Sequence, residues 1–193
     1  MLKRVIFIPI VVISAILSGS ALAGETLPSL PVETLSGKHL TLPTDLSSDP
    51  HLFIIGFSRA SQKQTSEWLH RTLDEYGKSG VFAIYQVAVL DVPRFIRGFA
   101  IDGMRSGVPK QLHEQFLLAT QKVDDWKRLA TFAQPDSAYL VLVNGRHEIT
   151  WRGVGALSDT NFQILTKQLK VLGLDQEGQQ VAPADGPAAP AHR

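Results

Sequence analysis

The sequence predicts an α/β domain with a central mixed sheet and helices on both faces. Three observations carry that expectation. His51-Leu52-Phe53-Ile54-Ile55-Gly56-Phe57 is a short apolar run rich in β-formers, and it passes through Ser58-Arg59-Ala60-Ser61 into a segment with Trp68, Leu69, Leu73 and Tyr76 at helical spacing. That is a buried strand turning into a helix. Val81 to Leu90 reads as a second long strand whose two sides are both apolar, as in the middle of an α/β sheet. Tyr139-Leu140-Val141-Leu142-Val143, then Asn144-Gly145, then His147-Glu148-Ile149-Thr150-Trp151 is the pattern of an antiparallel hairpin, which makes the sheet mixed.

Taken in order, the chain begins with Lys3 and Arg4, an apolar run from Val5 to Leu17, and small residues ending in Ala21-Leu22-Ala23. This is the three-part pattern of a secretory signal peptide, residues 1–23, with cleavage expected after Ala23. The expected location is therefore secreted or periplasmic, and the alternative is an uncleaved anchor. A lipoprotein anchor is excluded because it needs a cysteine. Pro31 to Leu35 and His39 to Leu42, joined by Ser36-Gly37-Lys38, form an N-terminal β-extension, and Pro43 to Pro50 is a polar loop before the central strand. Ser58 and Ser61 both suit the N-cap of the following helix, and Gly77-Lys78-Ser79-Gly80 ends it.

Asp91-Val92-Pro93 opens another helix with Phe95, Ile96, Phe99 and Ala100 as its apolar stripe. Two further amphipathic stretches, Leu112 to Ala119 and Val123 to Phe132, complete a helical insert before the hairpin. Asp124-Asp125 complements the helix dipole near a first turn. After the hairpin, Gly153 and Gly155 free the chain to turn. Ser158, Asp159 or Thr160 caps a last helix whose Phe162, Leu165, Leu169 and Leu172 face the sheet. The domain is expected over 24–173. From Leu174 to Arg193 the chain is Gln, Gly, Pro, Ala and Asp with almost no large apolar residue, and is expected to be a disordered tail.

Composition excludes several functions. Among 193 residues there is no cysteine, so thiol chemistry of every kind is ruled out and an exported chain must rely on its core instead of disulfides. Removing residues 1–23 lowers Lys+Arg from 19 to 17 against 18 acidic residues, so the formal balance moves from +1 to −1, which does not steer toward nucleic acid. His39, His51, His70, His113, His147 and His192 never recur at ligand spacing, so no metal site and no cofactor are expected. Trp68, Trp126 and Trp151 suit the core or a partner's surface. Arg94, Arg97 and Arg105 put positive charge on the insert helix, which reads first as a solvated helix face and otherwise as a contact for acidic lipid, as in peripheral membrane contact, or for an acidic partner.

In an open α/β sheet, ligands gather where strands end at their carboxyl edge and helix N-termini expose N–H groups, here the turn Ser58 to Gln64. At this turn the chain resembles the thioredoxin-like superfamily, in its peroxiredoxin and periplasmic thiol:disulfide branch. The resemblance covers roughly Leu27 to Leu172. It implies a thioredoxin-like fold, with Phe57 at the aromatic position, Ser61 at the first cysteine and Gln64 at the second. Neither replaces a thiolate. Asp136-Ser137 stands where the superfamily places a cis-proline, and Pro135 comes earlier, so the resemblance implies a redox-inert member. A narrower resemblance, on Ala138-Tyr139-Leu140-Val141 and Ile149-Thr150-Trp151-Arg152-Gly153-Val154-Gly155-Ala156, is to the mitochondrial ATP-synthase assembly factor family that attends the proton-channel subunit. This chain has Leu142 and Thr150 where that family has Asp and Arg.

The resemblances imply an exported protein that binds another polypeptide, such as a membrane-complex subunit awaiting assembly, as an assembly factor or chaperone. Arg59, Ser61, Gln64, Asp136 and Ser137 are expected as the partner-binding edge, with no catalytic residue. The alternative is a hydrolase or small-ligand enzyme using Ser61 with Asp91 or Asp136.

Overall fold

The computed structural model describes residues 24–174. The predicted signal segment and the tail beyond Leu174 lie outside the described residues. Strands β1 (Leu30–Thr34), β2 (His39–Leu42), β3 (His51–Gly56), β4 (Ala83–Val89), β5 (Phe116–Ala119), β6 (Tyr139–Val143) and β7 (Ile149–Val154) form a single seven-stranded sheet in the order β2-β1-β5-β4-β3-β6-β7. Parallel pairing joins β3 to β4 and β4 to β5. The pairs β3–β6, β6–β7, β1–β5 and β1–β2 are antiparallel.

Helices α1 (Gln62–Tyr76), α2 (Arg94–Gly107), α3 (Val123–Leu129) and α4 (Asp159–Val171) cover the sheet. Period-two alternation assigns each strand's residues to a layer. Leu52 and Ile54 of β3, with Leu140 and Leu142 of β6, meet Trp68 and Leu69 of α1 and Phe162, Leu165 and Leu169 of α4. Phe53 and Ile55, with Val141 and Val143, meet Trp126 and Leu129 of α3 on the opposite face. Trp68 and Trp126 are thus core residues, and Trp151 is half-buried.

One predicted element changes type. The helix expected over Leu112 to Ala119 is instead a short 3-10 turn, Lys110–Leu112, followed by β5, all four of whose residues are buried. A four-residue apolar run carries no decisive period. The free edges of β4 and β1 decide it, because Phe116–Ala119 satisfies backbone donors and acceptors on both sides only as a strand. The β-extension thereby becomes part of the main sheet.

The hairpin forms where Asn144-Gly145 predicts it, but by other means. Gly145 does not have positive φ; the left-handed residue is His147, at φ 61°. Asn144 organises the loop, its Oδ1 accepting from the N–H groups of Arg146 at 2.9 Å and Glu148 at 3.0 Å. Gly145 is needed for space, since a Cβ there would strike the Ser48 carbonyl oxygen. The return strand accordingly starts at Ile149 and not at His147.

At the far end, Ser158 caps α4 by accepting from the Asn161 N–H at 3.1 Å. Gly173 adopts φ 73°, and Leu174 N–H reaches back to the Leu169 carbonyl at 3.0 Å in a Schellman closure. Leu174 is buried against Leu169's cluster. Leu174 thus packs with the domain.

Candidate functional site

β3 ends at Gly56, and the chain turns through Phe57–Ser61 into α1. The turn is closed by two serines. Ser61 Oγ donates to the Ser58 carbonyl at 2.8 Å, and Ser58 Oγ accepts from the Ser61 N–H at 3.1 Å. Ser61 sits at the N-cap position but is already helical, at φ −71° and ψ −14°, and its side chain caps nothing. The expected side-chain cap from Ser61 is replaced by this reciprocal pair. A Cβ on residue 56 would lie 2.7 Å from Ser61 Oγ and 3.2 Å from Thr65 Cγ2, so glycine here lets the helix start close against the strand.

The loop before β6 is tied to the same turn. Ser58 Oγ donates to Asp136 Oδ1 at 2.9 Å, and Gln64 Nε2 donates to the Asp136 carbonyl at 3.1 Å. Gln64 Oε1 accepts from the Ala138 N–H at 3.2 Å. Ser137 Oγ accepts from Gln134 Nε2 at 2.9 Å. The five expected edge residues are therefore brought together, but not all face outward. Arg59 and Asp136 are exposed and Gln64 is half-buried, while Ser61 and Ser137 are buried.

Beside this turn opens a cleft of about 650 Å³ between the start of α1 and α2. Val87 and Val89 from β4, Phe116 from β5 and Ala100, Gly103 and Met104 from α2 make it largely apolar. Its polar groups are few and fixed: Gln86 Nε2 donates to Thr65 Oγ1 at 2.9 Å, and Thr65 Oγ1 donates to the Gln62 carbonyl at 3.0 Å. Arg59 lines the mouth and makes no ion pair among the described residues. Asp91 lines it too, held by Lys127 Nζ at 3.0 Å. This apolar concavity with a few placed polar groups has the form of a binding site.

Sequence reading missed the α2 wall and Gln86. The one polar residue inside the apolar run Val81 to Leu90 was the available signal for Gln86. No spacing pattern announces that no residue of α2 is buried. Its expected stripe does not face the core: Phe95, Ile96 and Phe99 are exposed, and the residues that pack against Leu90, Phe116 and Leu118 are instead Ile101 and Met104.

The histidines lie elsewhere. His51 is fully buried at the other end of β3, its ring near-parallel to those of Phe53 and Tyr85 at 6.2 and 5.9 Å, with His147 6.4 Å away. Neither of its ring nitrogens has a hydrogen-bond partner. Burial first, and the neighbouring His147 second, lower its pKa to about 4 against a weaker opposing pull from Asp49. Among the described residues no group of three or more His, Asp or Glu side chains could hold a metal ion. None of the cleft's lining residues is a histidine, and the carboxylate among them, Asp91, is held by Lys127.

No protein-family model matches the chain, and no curated protein matches its sequence. Solved structures match its fold. The pneumococcal exposed lipoprotein thioredoxin Etrx1 from Streptococcus pneumoniae strain TIGR4 is 9% identical with a TM-score of 0.54, over 74% of this chain and 99% of that one. A thio-disulfide isomerase from Thermus thermophilus is 19% identical with a TM-score of 0.54, over 79% of this chain and 97% of that one. BsSco, a member of the Sco family of cytochrome c oxidase assembly proteins, is 13% identical with a TM-score of 0.53, over 79% and 96%. With parallel β3 and β4 joined through α1, the antiparallel β6–β7 hairpin beside them and helices on both faces, this chain has the thioredoxin-like fold.

Proposed function

We propose that this chain is an exported, redox-inert thioredoxin-like protein that binds another polypeptide at the carboxyl edge of its sheet. The observation that carries the reading is the 650 Å³ apolar cleft beside the start of α1. Where the resemblance puts thiols, Ser61 and Gln64 are held in hydrogen bonds, so the edge has lost thiol chemistry and kept its concave surface. Arg59 and Asp136 supply exposed charges of opposite sign at its rim, suited to fixing the direction of an extended peptide. Export rests on the signal-like pattern of residues 1–23.

The role we assign is assembly factor or chaperone for a membrane-complex subunit. It rests on the Tyr139–Val141 and Ile149–Ala156 resemblance, and BsSco, which shares the fold, belongs to a family of assembly proteins. The hydrolase alternative is disfavoured by Ser61 itself, whose hydroxyl is fully buried and already donated.

Gly103 has open space where its Cβ would be, so Gly103→Trp fills the cleft without straining α2. The test is capture of polypeptides from the native envelope by the full chain and by the Gly103→Trp, Arg59→Glu variant. Polypeptides held by the parent and lost by the variant support the reading. Identical capture by both would move the binding surface elsewhere, and insulin reduction by the purified protein would overturn redox inertness.

A further inference from the structure

The N-terminal half of α2 lies mostly outside the cleft, touching it through Phe99 and Ala100. Phe95 and Phe99 lie one turn apart, 85% and 84% exposed, with Ile96 beside them at 43%. Of these three, only Phe99 touches the rim of the cleft. Rings left this free stand proud of the protein, with no wall of their own chain against them.

Charge surrounds them in an unusual place. From Val92 to Ile101 there is no acidic residue, and Arg94 and Arg97 fall within that stretch. Arg94 opens the helix, where unpaired N–H groups already form the positive end of the dipole and acidic residues are favoured. Pro93 supplies no side-chain cap, the first turn holds no acid, and neither arginine makes an ion pair among the described residues. Arg97 Nε is shielded from water without a partner. The tip is thus unfavourable by itself both in exposed apolar area and in charge, and one kind of contact relieves both. We infer that the N-terminal half of α2 docks on an anionic lipid bilayer, sinking Phe95, Ile96 and Phe99 below the headgroups while Arg94 and Arg97 meet the phosphates. A protruding apolar tip needs a yielding surface and no complementary pocket, and arginine stems reach outward to headgroups as the rings go inward.

Because the chain has no cysteine, Gly98→Cys creates a unique labelling position between the two rings, with open space around it. The full chain carrying an environment-sensitive fluorophore there is mixed with phosphatidylcholine vesicles, with and without phosphatidylglycerol. A blue shift is expected only with phosphatidylglycerol. It should be lost in high salt, in Phe95→Ser plus Phe99→Ser, and in Arg94→Glu plus Arg97→Glu, while a label at Lys63→Cys on α1 stays unshifted. No residue of α2 is buried, so these variants keep the fold, and circular dichroism checks it. An equal shift on neutral vesicles, no shift on either, or a shift unchanged by both double substitutions would overturn the proposal. A shift that grows with protein concentration without vesicles would assign the tip to a polypeptide contact instead.

Discussion

Gln64 clamps the loop before β6 through both ends of its amide, donating to the Asp136 carbonyl at 3.1 Å and accepting from the Ala138 N–H at 3.2 Å. Ala138 is fully buried, so removing the acceptor leaves a backbone donor without water or partner. Gln64→Ala is expected to cost roughly 2 kcal/mol of stability, from one lost hydrogen bond plus one orphaned donor. Gln64→Glu keeps the acceptor and loses the donor, and should cost less. Urea unfolding measures both, and equal losses would show that the Ala138 contact carries no weight.

Gly56 and Ser61 form a second testable pair. Gly56→Ala should destabilise by roughly 1–3 kcal/mol, because the new methyl would lie within 2.7 Å of Ser61 Oγ. In a Ser61→Ala background the part of that penalty due to Ser61 Oγ should vanish, since Ser61 Cβ is 3.7 Å away, while the 3.2 Å approach to Thr65 Cγ2 stays. A double-mutant cycle by chemical denaturation reads the coupling, and additivity would mean that the clash is not what demands glycine.

His51 gives the fold a pH dependence of defined sign. Its pKa is lowered from 6.5 to about 4, so between those values the unfolded chain holds the proton and the folded chain does not. Stability from this group is complete above the unfolded value and is lost as pH falls toward the folded one. The whole difference corresponds to on the order of 3 kcal/mol. His51→Phe keeps an aromatic ring beside Phe53 and Tyr85 and should flatten the change in unfolding free energy between about pH 7 and about pH 5. An unchanged slope would mean that other groups set it.

Gly145→Ala tests whether space or backbone conformation selects glycine in the hairpin. Its φ is not positive, so a conformational account predicts little effect, whereas the Ser48 carbonyl blocks a Cβ. A loss of roughly 1 kcal/mol or more in thermal or urea unfolding is expected. A neutral outcome would show that the Pro43 to Pro50 loop yields.

The central strand, its helix, the second strand, the hairpin and the last helix were readable from local pattern, because each is long enough to show a period or carries a turn residue with one physical meaning. Ser158 at the start of α4 and the absence of every thiol belong to that group. β5 does not: Phe116–Ala119 is too short to show a period, and only the open edges of β1 and β4 make it a strand. Burial at the edge was equally hidden. Ser58, Ser61 and Ser137 look alike as polar loop residues, and the long-range contact of Ser58 with Asp136, the local one of Ser137 with Gln134 and the approach of Ser61 to Gly56 distinguish them. The cleft is walled on one side by α2, which touches the sheet through Ile101 and Met104 and buries none of its residues. Its helical period was legible in the chain, but which face meets the core depends on strands far away in sequence, and a pattern within one helix contains no information about them.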